Sequence, residues 1–434
     1  MPKYEELYNK KLKTPKEIAD MVQSGYVCVS PTCMAQPDAI AQAIASRANR
    51  GELEGVKHHS VIAIEPAPFV DMELRGKYDY VSWFTQAAAR SSVQSGLSDY
   101  MPCHYSEEIA LWDMRGAPDV VYAVVTPMDR HGYFSFGLVA SECVELVSRA
   151  KYVFLEVNRN MPRLFGNNII HISQATAICE HDAPISTLSP PLVTEKDKTI
   201  GQLIAQYISD GSTIQLGIGG VPSAVANCLY DKKDLGIHTE LFMDSMVDLI
   251  EAGVVTNLKK SINTGKTVAA FAWGSQRMYD FLHNNVSVEM MPVSYVNNPY
   301  TIAQIENFVS VNSCLEVDLL GQVCAESIGS IHFSGSGGQV DFVRGCNMSL
   351  GGKSFIAMPS TAKNNTISKI KPILTPGAAV TTGKNDVDYI VTEYGVAHLR
   401  GRTAGERAKE LIKIAHPKFQ EELLHETKRM KLII

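Results

Sequence analysis

The sequence predicts an α/β protein made of two similar open α/β/α domains whose sheets are mostly parallel. Three observations lead there. At 434 residues the chain exceeds what one hydrophobic core supports, about 250–300 residues. Short apolar runs rich in β-branched and aromatic residues alternate with helix-patterned segments, the signature of parallel strands covered by helices. One strand–loop–helix unit also occurs twice. It runs from Gly25 through YVCVSPTCMAQ to Pro37 and DAIAQAIAS, and again from Gly211 through STIQLGIGGV to Pro222 and SAVANCL. Such units recur in any α/β protein, which is the other reading of the repeat.

Each element follows from its residues. Lys151–Val157, Thr213–Leu216, Ser354–Met358 and Tyr389–Thr392 read as buried strands. Pro222–Leu229 and Ala404–Ile414 read as helices. Proline suits a helix start, because the donor it lacks has no partner there anyway. The stretch 183–195 holds Pro184, Pro190 and Pro191 among Ser and Thr, and reads as an extended linker. It divides the chain into domains over 1–185 and 186–434.

Composition removes several classes of function. A net charge of −6 gives no basic field for nucleic acid. No run of eighteen apolar residues exists to span a membrane. The N-terminal MPKYEELYNKKLK is too polar for a signal peptide. The nine cysteines form no CxxC pair and are odd in number, which fits reduced thiols in a cytoplasm better than a disulfide set. There is no HExxH and no paired Cys/His spacing, so no metal is expected. His58 and His59 are merely adjacent, no GxSxG elbow occurs, and Asp129-Arg-His-Gly132 reads as a turn between strands.

The residues that could carry chemistry lie mainly in the second half. Gly217-Ile218-Gly219-Gly220-Val221-Pro222 follows a strand and opens a helix. Glycines let a backbone approach a ligand, and a helix N-terminus offers free N–H groups to an anion. It is neither GxGxxG nor a Walker loop, and its plain reading is a tight packing turn. Glu240 stands about twenty residues on, at a strand end (Gly236–Leu241), where ligands of open α/β sheets bind. Asp244 or Ser245 would cap the helix that follows. Taken alone, Glu240 reads equally as a surface or ion-pair residue. Asn297 precedes Asn298-Pro299, whose proline holds the preceding residue extended, so its amide could face a cleft or simply serve a turn. Gly335, Gly337 and Gly338 form a flexible turn before a short strand. Lys363 ends LGGKSFIAMPSTAK just past another strand, placed to reach a phosphate or pantetheine arm. Arg75 and Arg90 could pair a second carboxylate, or be surface residues. A carboxylate, anion-binding glycine loops, an amide and a lysine, without metal, suit acyl transfer to a carboxylate nucleophile.

GIGGVPSAV, LGIHTE, SYVNNP, FSGSGGQVDFVRG, GGKSFIAMPSTAK and VTEYGVAHLRGRTAGERA, in this order, resemble the acetyl-CoA hydrolase/transferase branch of the class I CoA-transferases. The likeness is dense from about 200 to 420; VTPMDRHGYFSFG and KYVFLEVN extend it forward. It implies a CoA-transferase-like fold with the active site between its two domains, in a homo-oligomer (dimer or tetramer). It implies CoA as co-substrate and short-chain acyl-CoAs and carboxylates as partners: butyryl-CoA or 4-hydroxybutyryl-CoA, and acetate. The nucleophile of the H-[ST]-E motif falls on Glu240, to be held as a glutamyl-CoA thioester. The CoA loop falls on Gly217, Ile218, Gly219, Gly220 and Val221, the thioester-facing glycine on Gly338, the active-site asparagine on Asn297, and the CoA-contacting lysine on Lys363. Asn298 replaces a common histidine, and Cys346-Asn347 replaces usual small residues; both departures bear on substrate preference. A short-chain acyl-CoA hydrolase, or a non-catalytic acyl-CoA-binding protein, would share much of this pattern.

Overall fold

The computed structural model describes residues 2–65 and 67–433. The chain forms two compact units. One contains residues up to 188 together with 268–295 and 333–335; the other contains 189–267, 296–332 and 336 onward. A single boundary in the proline-rich stretch does not express this, because two later segments return to the first unit.

The first unit is built on a seven-stranded sheet. Its order is Ala177–Glu180, Tyr152–Val157, Val120–Val125, Val27–Val29, Val56–Ser60, Tyr78–Ser82 and Asp99–Tyr100. Every neighbouring pair is parallel. Val120–Val125, VVYAVV, is buried at all six positions, as a strand covered on both faces must be. The helix Asp38–Asn49 buries Ile40, Ala41, Ile44, Ala45 and Ala48, the stripe expected of a 3.6-residue period. His58 and His59 point to opposite faces of their strand, as alternation requires. The His58 ring nitrogens meet the hydroxyls of Ser30, Tyr78 and Tyr122, and His59 accepts from the Trp83 indole at 3.0 Å. Burial pushes both imidazoles well below their ordinary range and keeps them neutral. Asp129 closes the predicted turn, its carboxylate accepting from the N–H groups of His131 and Tyr133.

The second unit repeats the plan. Thr213–Leu216 lies at the centre of its sheet, with Gly236–Phe242 on one side and Phe308–Ser313, Lys353–Ala357 and Tyr389–Thr392 on the other. These pairs are parallel; Gly395–His398 closes the edge antiparallel to Tyr389–Thr392. In both units the first strand is central and the chain winds outward in both directions. The loop leaving that strand is therefore at the topological switch point, where open sheets bind ligands. The twofold strand–loop–helix motif of the sequence occupies this place in each unit, and Gly25 and Gly211 both adopt the left-handed φ (+79° and +76°).

Three local expectations are corrected. The residues after Gly338 form the helix Gln339–Met348, not a short strand. Asp244 is the first residue of the helix Asp244–Glu251 and neither it nor Ser245 caps it; Met243 holds the cap position without a side-chain bond. Pro222 is the third residue of the helix Gly220–Asn227, still within the first turn, where its missing donor is harmless. That helix is seated by close crossing: a Cβ on Gly201 of Glu195–Ala205 would lie 2.7 Å from the Ala224 backbone.

Candidate active site

The strand Gly236–Phe242 places His238, Glu240 and Phe242 on one face by simple alternation. Its neighbours on the strand are buried, whereas Glu240 keeps part of its surface. Asn297 lies between the short helices Val293–Val296 and Pro299–Ala303 and is fully buried. Asn298 caps the second helix, accepting from the Tyr300 N–H at 2.9 Å, which leaves Asn297 free to turn inward. Its Nδ2 donates to Glu240 Oε2 at 2.6 Å.

Gly338 is the cap residue of Gln339–Met348, and its backbone N–H also donates to the Glu240 carboxyl. With φ at −90° it needs no special backbone freedom; the requirement is for space. A Cβ there would lie 2.2 Å from Glu240 Oε2 and 2.2 Å from Asn297 Nδ2. The carboxyl is pressed directly against the start of a ten-residue helix, whose dipole favours negative charge. Burial raises the Glu240 pKa to about 7, and the Asn297 and Gly338 donors hold it from rising further.

The glycine loop leaves the adjacent strand. Ile214 pairs with Ile237, so the loop leaves the sheet from the strand next to the one that carries Glu240. Gly219 has φ +127°, a region open essentially to glycine. Gly220 fits against Asp197, since a Cβ would stand 2.7 Å from Asp197 Oδ2. Asp197 is itself held by the capping box Thr194–Asp197, a T-x-x-D pattern legible in the sequence but not singled out there. Ile218 is exposed, whereas the Val221 side chain is buried.

Thus Glu240, Asn297 and Gly338 converge, and Gly217 to Val221 leave the neighbouring strand of the same sheet. Lys363 does not join this cluster by any described hydrogen bond. It stands exposed at φ +47° on the turn between the paired strands Thr361–Ala362 and Ile367–Ser368. Nearby cations are already engaged: Lys196 binds Glu393 at 3.0 Å, and Lys369 donates to the Cys314 carbonyl. Arg90 is occupied within the first unit, where Nε donates to the Phe333 carbonyl at 2.9 Å and its guanidinium lies 3.9 Å from that ring centre. Arg75 is exposed.

Residues 1–190 match the acetyl-CoA hydrolase/transferase N-terminal domain and residues 274–427 the C-terminal domain of that family. The chain belongs to the acetyl-CoA hydrolase/transferase family. Succinyl-CoA:cyclohexane-1-carboxylate CoA transferase of Geobacter metallireducens is 47% identical, over 99% of this chain and 98% of that one. The 4-hydroxybutyrate coenzyme A transferase of Clostridium kluyveri is 42% identical, over 98% and 99%. The crystal structure of RipA from Yersinia pestis superposes with TM-score 0.95 at 37% identity, over 99% of this chain and 100% of that one. With relatives of this kind over nearly its whole length, the chain is an enzyme of the CoA-transferase type. Among the described residues no disulfide joins any of the nine cysteines, and no helix of this CoA-transferase is long and apolar enough to cross a membrane.

Proposed function

We propose that this enzyme moves CoA between a short-chain acyl-CoA and a carboxylate such as acetate, through a glutamyl-CoA thioester on Glu240. The observation that carries the reading is a carboxyl at the end of a parallel sheet, oriented by the Asn297 amide and the Gly338 N–H. A Glu240 oxygen attacks the thioester carbonyl of the acyl-CoA. The tetrahedral oxyanion collapses, expelling CoA thiolate and leaving a mixed anhydride. The thiolate then attacks the Glu240 carbonyl, giving the glutamyl-CoA thioester and releasing the first acid as its carboxylate. The acceptor carboxylate runs the same steps in reverse. The thioester energy stays in the covalent intermediate, so no nucleotide hydrolysis is needed.

Backbone N–H groups of Gly219, Gly220 and Gly338 are assigned to the oxyanions; one such donor contributes about 3–4 kcal/mol in related chemistry. Gly217, Ile218 and Val221 are assigned to CoA, Val221 through its backbone only, and Lys363 to the CoA body from its exposed turn. Butyryl-CoA and 4-hydroxybutyryl-CoA are the acyl donors to try first. The odd cysteine count without a CxxC pair supports a reducing cytoplasm, and the family resemblance supports a homo-oligomer, dimer or tetramer.

The deciding experiment is an intact-mass and peptide-mapping measurement after incubation with butyryl-CoA and no acceptor. A CoA adduct on the Glu240 peptide that acetate discharges is the expected result. Free CoA accumulating without an adduct means the hydrolase reading, and neither adduct nor release with any short acyl-CoA leaves a binding protein. The rate has a further signature. Only the ionised carboxylate attacks, so kcat/KM should fall on the acid side with a midpoint near pH 7 rather than near 4.5, read in a pH–rate profile.

A further inference from the structure

Asn297 is the donor that fixes Glu240, yet it lies in the junction between two short helices and has no strand partner in the sheet. Something must hold that junction at hydrogen-bond distance from the strand. His238 stands two residues before Glu240 on the same face of Gly236–Phe242, and is fully buried. Its Nε2 donates to the carbonyl of Val296 at 2.7 Å. Two consecutive residues of the junction are therefore tied to two alternate residues of one strand, Val296 to His238 and Asn297 to Glu240. The ties run in opposite senses: the strand donates at the first and accepts at the second.

We propose that His238 is a positioning residue, whose imidazole anchors the Val296 carbonyl and so holds the Asn297 amide against the Glu240 carboxyl. The inference rests on Glu240 as nucleophile, proposed above. Donation to a carbonyl requires the proton on Nε2. Burial and the nearby Lys260 cation push the imidazole down to about 3, so it stays a neutral donor throughout the working range. Lys260 is fixed in turn, donating to the carbonyls of Ile237 and Lys266. His238 thus neither gains nor loses a proton in the reaction. It acts through Asn297.

The test compares His238→Leu, which fills space but cannot donate, with His238→Gln, whose Nε2 donor is the same number of bonds from Cα as the histidine Nε2. If Leu does not fold, His238→Asn, whose donor is one bond shorter, takes its place. Adduct formation on Glu240 is mapped by mass in each protein, and kcat, KM and the acid limb of kcat/KM are measured. The expected result is that Leu or Asn lowers kcat by roughly 100-fold, the scale of a 1 Å misplacement, with KM unchanged. The acid limb also moves to higher pH, because a carboxylate that loses the Asn297 bond is easier to protonate. Gln restores both. An acid limb in the same place in all variants, or a Gln variant no better than Leu, overturns the proposal. Wild-type enzyme that turns over without ever labelling Glu240 instead sinks the nucleophile assignment and the positioning role with it.

Discussion

Glu240→Gln is expected to abolish CoA transfer and adduct formation while leaving the fold intact. Glutamine keeps the shape and can keep the Gly338 contact, but its amide cannot form the anhydride. Loss of a covalent nucleophile costs on the order of 10⁴–10⁶ in turnover in well-studied enzymes. A stability measurement gives an independent reading of the same residue. The native carboxyl is held at about 7, above its ordinary 4.5, so ionisation is disfavoured in the folded state. A carboxyl with a raised native pKa withdraws stability as pH rises from about 4.5 to about 7, and the loss is constant above that. Glu240→Gln removes this penalty. The variant should therefore melt higher than the wild type at pH 8 and close to it at pH 5. Equal melting at both pH values would mean that Glu240 is not strained by burial, and turnover near wild type would remove it from the chemistry.

Gly338→Ala is expected to cost activity heavily, though less than Glu240→Gln, through one methyl group. The backbone tolerates alanine there, since φ is −90°. The added Cβ, however, falls 2.2 Å from both the Glu240 oxygen and the Asn297 nitrogen that it binds. The carboxyl, the amide or the helix start must move by about an ångström, and displacements of that size lower rates by roughly 10². If the Gly338 N–H also serves the oxyanion, the loss reaches about 10³. The fold should survive, because overpacking of this kind typically costs about 1–3 kcal/mol. Gly383→Ala is the matched control: a Cβ there meets nothing within 4 Å. The comparison is read as kcat in steady state beside a thermal melt. A Gly338→Ala enzyme as active as Gly383→Ala would show that the Glu240–Asn297 contact is not needed for turnover.

Some of this was legible in the chain because it is local. Val120–Val125 and Thr213–Leu216 are buried apolar runs, and burial on both faces is what such runs demand. The glycine loop was legible because a positive φ at Gly219 and close packing at Gly220 admit little else. The residues of the helix Gln339–Met348 read as a strand in the sequence because Val340, Phe342 and Val343 fit either period. What decided it is contact at a distance: Gly345 lies against Ile302, where a Cβ would stand 2.5 Å from the isoleucine side chain. That packs two helices together at a residue that in isolation weakens either element. Lys363 stands just past a strand, as its sequence position predicts, on a turn where Lys363, Asn364 and Asn365 all adopt left-handed φ, a shape that only the fold shows.

The sequence by itself determined a two-unit parallel α/β protein, the loops at its strand ends and its family, since these depend on periodicity and on motifs a few residues long. Only the tertiary structure decided that Glu240, Asn297 and Gly338 share one hydrogen-bonded site and that His238 stands behind it. Those contacts join segments separated by 57 residues between Asn297 and Glu240 and 58 between Val296 and His238. Their approach is set by strand order, register and the space a missing Cβ leaves, none of which a local pattern encodes.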